Sequence, residues 1–419
     1  MSSSPLELRD ADAQPGDGVP HERLTRLTRL TRQEFARDIW ARTPLLTRGA
    51  GDFADLFSAD AVDELISRRG LRTPFLRVAK DGATLPETSF TAPAGVGATI
   101  ADQLDDTALW RSFADGATLV LQALHRTWEP VADFVTGLGT ELGHPVQANA
   151  YVTPPQNRGF DDHYDVHDVF VLQIAGTKRW MIHEPVHPDP LRDQPWTDRR
   201  DAVAAAAKSD PHLDTVLTPG DVLYLPRGWL HAAEAQGAVS IHLTLGVHTW
   251  THHALAEQLA QSALALLRED PQMRASLPLG ADGQDDGLAM VRERLAEALT
   301  RADPTPLFHR ARRGQSRPAP LGPLAQLTAV DGLTPDSPVR LRDALEARLT
   351  GRRLHTRVGW LDITEQDLPT IRRLLDGQDD EDSRYGDDPR APHVHVAHDL
   401  GLELVERLLR AGVLVPAGP

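Results

Sequence analysis

The sequence predicts a mainly β core with α additions: an antiparallel barrel or double-sheet jelly roll, then a helical region and a small C-terminal domain. Three observations carry this. Between Leu76 and His248, short apolar or alternating runs recur between turn signals. After His248 the apolar spacing lengthens to the helical period. Residues 309–323 are rich in Arg, Pro and Gly and read as a linker, beyond which a separate small pattern begins.

Each element follows in order. Residues 1–20 are polar and acidic with prolines, and read as a disordered tail without a basic-then-apolar leader, so a cytoplasmic protein is expected. The Leu-Thr-Arg triplets that follow place Leu27, Leu30, Phe35 and Ile39 on one helical stripe, with the arginines on a solvated face. Strands are expected at 118–121, 147–153, 168–174 and 179–183, with Ala175-Gly176 as a break between the last two. Thr218-Pro219-Gly220-Asp221 is a turn feeding a strand at 222–225. Helices are expected at 252–267 and 287–299, with apolar faces suited to each other or to a second subunit. In 324–419, a helix opens after Thr364, with Asp367 as a near capping box. A second helix spans 400–410, Ala411-Gly412 ends it, and a strand at 413–415 closes the pattern, which suits a small winged-helix domain. The acidic run 376–388 reads as a solvated loop.

Composition narrows the chemistry. The 419 residues include no cysteine, which excludes disulfides, thiolate metal sites and cysteine nucleophiles. Histidine and carboxylate are left as the metal ligands. The formal charge of −16 opposes binding of bare nucleic acid unless a basic patch is segregated; it would attract a basic protein or peptide, or serve solubility alone. No apolar run approaches a membrane span.

The most informative residues are His163-Tyr164-Asp165 and a distant His231, which follows Pro226-Arg227-Gly228-Trp229-Leu230. Residues i and i+2 of a strand point to the same side, so His163 and Asp165 can reach one metal ion together. A third ligand from His231 completes a 2-His-1-carboxylate set, which holds Fe(II) by one face and leaves the other positions open for oxygen chemistry. His167 continues the i+2 series and is an alternative ligand or a neighbour of the site. His393, His395 and His398 could form a zinc site, but surface histidines on a short strand are the favoured reading. No phosphate-binding glycine loop or Gly-x-Ser-x-Gly elbow is present.

A longer pattern surrounds these residues. Asn149-Ala150-Tyr151-Val152-Thr153-Pro154-Pro155 leads into His163-Tyr164-Asp165, and Val169 to Ile174 leads into Gly176-Thr177-Lys178-Arg179-Trp180. Pro219-Gly220-Asp221 through His231 and Ser240-Ile241-His242-Leu243-Thr244 continue it, with Trp40-Ala41-Arg42-Thr43-Pro44-Leu45-Leu46 and Lys80-Asp81-Gly82 upstream. As a set this resembles the JmjC-type ribosomal oxygenases, which are 2-oxoglutarate- and Fe(II)-dependent protein hydroxylases. The similarity spans most of residues 30–250.

The resemblance implies a double-stranded β-helix (jelly-roll, cupin) barrel as a JmjC/cupin catalytic domain over 21–250. It also implies a helical dimerisation region over 251–310 and a winged-helix-like domain over 324–419. It makes His163, Asp165 and His231 the iron ligands and catalytic centre, and Lys178 the partner of the distal carboxylate of 2-oxoglutarate. Asn149, Tyr151 and Thr244 match positions in or near the cosubstrate pocket, and Ser240 is a further candidate there. Gly246 departs from relatives that carry serine at that position. The implied cofactors are Fe(II), 2-oxoglutarate and O2. The implied reaction hydroxylates a His or Arg side chain of a ribosomal protein, with a homodimer as the working form and no membrane or nucleic-acid partner. The rival readings are the same chemistry on a small peptide, and a non-catalytic metal-binding module.

Overall fold

The computed structural model describes residues 23–80, 82–97, 99–155, 157, 161–277, 279, 286–315, 318–376 and 394–417. The expected tail at 1–20, His393 and nearly all of the acidic run at 376–388 lie outside the described residues. The chain divides after Thr249, and each unit is treated by itself.

The first unit is built on eleven strands: β1 (Leu45–Thr47), β2 (Leu76–Lys80), β3 (Ala83–Thr84), β4 (Thr91–Ala92), β5 (Gln103–Leu104), β6 (Thr118–Leu121), β7 (Val146–Thr153), β8 (Asp168–His183), β9 (Leu213–Leu217), β10 (Val222–Leu225) and β11 (Leu230–Val247). Nine of them form one antiparallel sheet in the order β1-β10-β8-β11-β7-β6-β2-β3, with β9 on β8. The long strands β8 and β11 pair with each other from Asp168↔Val247 to His183↔Leu230. Midway, the other neighbour of β8 changes. Val169 to Leu172 pair with β10, and Lys178 to Ile182 pair with β9.

The predicted break at Ala175-Gly176 is a bulge inside one strand. Gln236 pairs with Thr177 and Ile241 with Ala175, so residues 237–240 of β11 are accommodated opposite Gly176 alone. Gly176 has φ +62°, and a Cβ there would collide with the Val239 carbonyl. Gln173, fully buried, ties the bulge down by donating to the carbonyls of Ala175 (2.9 Å) and Gly176 (3.1 Å) and to Ser240 Oγ (2.9 Å).

The expected helix near the N-terminus is two helices, Arg23–Thr28 and Arg32–Asp38, separated at Arg29 with φ 56°. A capping box of Thr31 and Glu34 starts the second. The apolar positions hold as expected, with Leu27, Phe35 and Ile39 buried. The arginines are not simply solvated. Arg26 makes two bonds to Asp55, at 2.9 and 2.6 Å, and lies over the rings of Phe53 and Phe134. Arg29 donates to the Gly49 carbonyl.

The interval between Leu76 and His248 also contains helices that its β texture conceals: Asp106–Ala114, Leu124–Thr127, Glu129–Leu142 and Arg200–Ala206. In Glu129–Leu142 the buried residues Val131, Phe134, Val135 and Leu138 recur at i, i+3, i+4 and i+7, the helical stripe that joins the barrel core. The predicted turn at Thr218 to Asp221 is present. Asp221 accepts from Thr218 N (2.9 Å), Gly49 N (2.8 Å) and Arg48 (2.7 Å), fastening the turn to the chain after β1.

In the second unit, helices His252–Leu267 and Asp286–Arg301 pack through Ala263, Leu267 and Ala298. The stretch read as a linker is partly helical, because helix Thr305–Gln315 takes up its beginning. Further on, strand Pro338–Leu341 lies between Val394–Val396 and Leu414–Pro416, and a second sheet joins Arg348–Thr350, Arg353–Thr356 and Gly359–Asp362. The expected helix at 400–410 is interrupted by Gly401 (φ +88°), giving Ala397–Leu400 and Leu402–Arg410. Leu404, Val405 and Leu408 bury one face of the latter against Val339 and Ile371. Among the described residues no helix is long and apolar enough to cross a membrane.

The bulge yields a stability prediction. Gly176→Ala combines a left-handed backbone, about 1–2 kcal/mol for an L residue, with a clash against fixed backbone. Gly237→Ala has a similar φ of +73° but open space around the added carbon. Thermal unfolding is expected to show a clearly larger fall in Tm for Gly176→Ala; equal falls would contradict the bulge.

Candidate metal centre and cosubstrate pocket

Two backbone contacts bring the ligand segments together. His163 does not lie in a strand; it forms an isolated antiparallel bridge with His231, the second residue of β11. His163 N donates to His231 O (3.2 Å) and His231 N to His163 O (2.8 Å). Gly228 N then donates to Asp165 O (3.0 Å), tying the turn before β11 to the carboxylate-bearing residue. Gly228 has φ +87°, and a Cβ there would meet the His187 carbonyl at 2.7 Å.

The same turn is held from below. Asp168, buried at the start of β8, accepts from Tyr224 Oη (2.6 Å) and Arg227 N (3.0 Å). Burial raises the pKa of Asp168 above the ordinary carboxylate value, and these donors counter that rise only in part.

The outcome is a cluster of His163, Asp165 and His231 whose ligand atoms lie within 4.8 Å of one another, the only group of three or more such residues among the described ones. His231 Nε2 is 3.7 Å from Asp165 Oδ2, and the two imidazole centroids are 4.4 Å apart. The ring orientations suit a metal ion. His163 Nδ1 faces the Asp161 carbonyl (2.7 Å) and His231 Nδ1 faces the Trp229 carbonyl (3.1 Å). A proton on each Nδ1 satisfies that carbonyl and leaves the Nε2 lone pair for a metal. Burial lowers the His231 pKa to about 4, so its ring is neutral at neutral pH, the form that ligates. Burial works against ionisation of Asp165, but the imidazoles of His167, His231 and His163 and the charge of Arg77 hold its carboxyl below the usual value. Two imidazoles and one carboxylate on one side of a cavity fit ferrous iron.

His167 is not part of the cluster. Its ring meets His248 edge-on at 5.1 Å, and Gln147 Nε2 lies 3.4 Å from its Nε2. Gly246 pairs with Gln147, and a Cβ there would come 3.1 Å from His167 Nε2 and 3.2 Å from the Gln147 side chain. These side chains occupy the room that a serine would need. His395 and His398 form no zinc cluster with any described residue; His398 contacts the Pro335 carbonyl and Asp399.

A pocket opens beside the cluster, lined by the three ligands together with Thr118, Tyr151, Lys178, Trp180, His242 and Thr244 among others. Lys178 is 3% exposed, and its Nζ donates to Thr153 Oγ1 (3.2 Å), which also receives Thr118 Oγ1 (3.2 Å). No carboxylate among the described residues offsets its burial, which depresses its pKa to about 7. A buried ammonium without a counter-charge is costly, so the pocket is built for an anion. Tyr151 and Thr244 line the pocket as expected, and Arg77 hydrogen-bonds Tyr151. Asn149 and Ser240 stand outside its wall: Asn149 Oδ1 accepts from Ala123 N (3.0 Å), and Ser240 Oγ accepts from Gln173. Thr118, Thr153, Trp180 and His242 were not among the expected site residues. His242 lies between Ser240 and Thr244 in the i+2 series of one strand, and that parity was the available signal.

Residues 128–255 match the JmjC domain family model. The chain carries a JmjC domain. The resemblance read from the sequence is borne out by its relatives. The chain is 30% identical over 258 residues to ribosomal oxygenase 1 of Gallus gallus, covering 60% of this chain and 41% of that one. It is 29% identical over 260 residues to the bifunctional lysine-specific demethylase and histidyl-hydroxylase NO66 of Drosophila pseudoobscura pseudoobscura, covering 60% and 26%. The matches thus span less than half of these curated relatives' length. The ribosomal oxygenase YcfD from Escherichia coli, solved with cobalt and 2-oxoglutarate, shares the fold with a TM-score of 0.54 at 18% identity, covering 94% of this chain and 99% of that one.

The pocket of the JmjC domain makes a prediction about its unpaired cation. Unfolded lysine binds its proton up to about pH 10.5, whereas buried Lys178 releases it near 7. Between those values the unfolded chain holds more protons, so the contribution of Lys178 makes the ligand-free protein more stable as pH rises from 7 towards 10. Lys178→Met is expected to remove that contribution and to stabilise the ligand-free protein at pH 7 by roughly 1–4 kcal/mol, read as a higher Tm. A lower Tm would show that Lys178 has a counter-charge in the ligand-free state.

Proposed function

We propose that the protein is an Fe(II)- and 2-oxoglutarate-dependent dioxygenase that hydroxylates a side chain of a ribosomal protein. The observation that carries this is the joint placement, in one pocket, of a 2-His-1-carboxylate cluster and a buried lysine with no counter-charge among the described residues. The first suits ferrous iron, and the second suits the distal carboxylate of a dicarboxylic acid. When bound, iron and 2-oxoglutarate supply oxygen activation coupled to oxidative decarboxylation, giving succinate and carbon dioxide.

The protein's own part is geometric. His163, Asp165 and His231 would hold the metal. Lys178, whose Nζ donates to Thr153, would anchor the cosubstrate, and Val169, Val171 and Trp180 give the pocket an apolar wall. Asp168 and Gly228 keep the two ligand segments in register.

The relatives' names support a ribosomal protein as substrate, and the charge of −16 favours a basic target, with histidine or arginine as the residue hydroxylated. Exposed Leu255, Leu264, Leu266, Leu288 and Leu299 on helices His252–Leu267 and Asp286–Arg301 support a homodimerisation region over 251–310. The helices and small sheets of 324–419 support a winged-helix-like domain for protein contacts, since the acidity of the chain disfavours nucleic acid. We place this activity in the cytoplasm.

The test is to incubate the protein with Fe(II), 2-oxoglutarate and ribosomes from cells lacking its gene. Succinate release with the gain of one oxygen by a single ribosomal protein is expected, and Asp165→Ala should abolish both. Succinate with no mass gain on any ribosomal protein would move the target to a small peptide. No succinate above the level of Asp165→Ala, with any basic peptide, would favour the non-catalytic module.

A further inference from the structure

His242 is 2% exposed and lines the pocket, and two aromatic rings pack against it. It stacks flat on Tyr151, with centroids 4.8 Å apart and planes 3° from parallel, and Trp180 meets it edge-on at 5.5 Å. Its Nδ1 is enclosed and has no hydrogen-bond partner among the described residues. A proton there would be an orphaned buried donor, which folded proteins avoid more strictly than an unused lone pair. On that argument the neutral ring carries its proton on Nε2. The stacked ring of Tyr151 and the edge-on ring of Trp180 restrict the imidazole's turning.

We propose that His242 is a specificity-determining residue of the pocket, donating from Nε2 to the carboxylate that Lys178 attracts and thereby fixing the length of acid that fits. This rests on reading the pocket as a 2-oxoglutarate site. Lys178 alone would discriminate length poorly, since an ammonium on a flexible stem is a point charge that follows a displaced carboxylate. The clamped imidazole cannot follow. A carboxylate one methylene further along, as in 2-oxoadipate, keeps the lysine and loses the histidine. Both carboxylate contacts would be available only to the five-carbon acid.

Calorimetric titration of the protein loaded with Mn(II) in place of iron tests this without turnover. Wild type is expected to bind 2-oxoglutarate more tightly than 2-oxoadipate. His242→Phe keeps a flat stacked ring and lacks the N–H. It should weaken 2-oxoglutarate roughly ten- to a hundredfold, as for one hydrogen bond to a charged group, and narrow the preference over 2-oxoadipate, with Mn(II) affinity unchanged. His242→Gln, whose amide reaches the Nε2 position, should recover part of both. If His242→Phe does not fold, His242→Asn, whose amide stops at the Nδ1 position, should show the same loss. Wild-type affinity and preference in a folded variant lacking the Nε2–H would overturn the proposal, as would failure of His242→Gln to recover either. Lys178→Met separates the two readings: if it too binds 2-oxoglutarate like wild type, the pocket assignment fails as well.

Discussion

The antiparallel bridge between His163 and His231 is the contact on which the site depends. It joins an extended segment outside any strand to the beginning of β11, and it is closed by reciprocal backbone hydrogen bonds of 3.2 and 2.8 Å. Backbone pairing of this kind sets the separation of two side chains without any contribution from the side chains themselves. The imidazoles are therefore brought together by the sheet, and the metal need only complete a geometry already present. Asp165 is added by the Gly228 amide, and the turn carrying that amide is fixed by Asp168. The site is supported from the strand ends inward, as preorganised ligand sets require.

The barrel accomplishes a second task by the same pairing. β8 and β11 run side by side, and the bulge at Gly176 lets β8 exchange its other neighbour, β10, for β9 without breaking. Asp168 lies at one end of β8, beneath the metal turn, while Lys178 lies past the bulge. The metal ligands and the buried cation thus converge on one pocket because a single strand pair passes both. The lysine is a liability to the ligand-free fold and an asset once an anion enters, which is the trade expected of a binding site.

Much of this was legible in the sequence, for physical reasons that differ between residues. The metal ligands were readable because a cysteine-free chain has few ligand types, and because His163, Asp165 and His231 stand in recognisable surroundings. Lys178 was readable only from its place in a longer pattern. His242 was accessible in principle through strand parity with Ser240 and Thr244, yet parity gives a face and not the depth at which a side chain meets the pocket. Ser240 shares that face and is spent on Gln173. Asn149 shares the face of Tyr151 and is spent on the Ala123 amide. The bulge at Ala175-Gly176 looked like a strand end, since the residues that absorb it lie on β11, far along the chain. Helix Glu129–Leu142 was hidden by the β-rich texture around it, although its apolar spacing is helical.

Locating the metal tests the site most directly. Crystals of the protein grown anaerobically with Fe(II), measured at the iron absorption edge, should show one anomalous peak per chain, bonded to the Nε2 atoms of His163 and His231 and a carboxylate oxygen of Asp165. A peak elsewhere, for instance among the histidines near position 395, or bonding by only two of the three side chains, would contradict it.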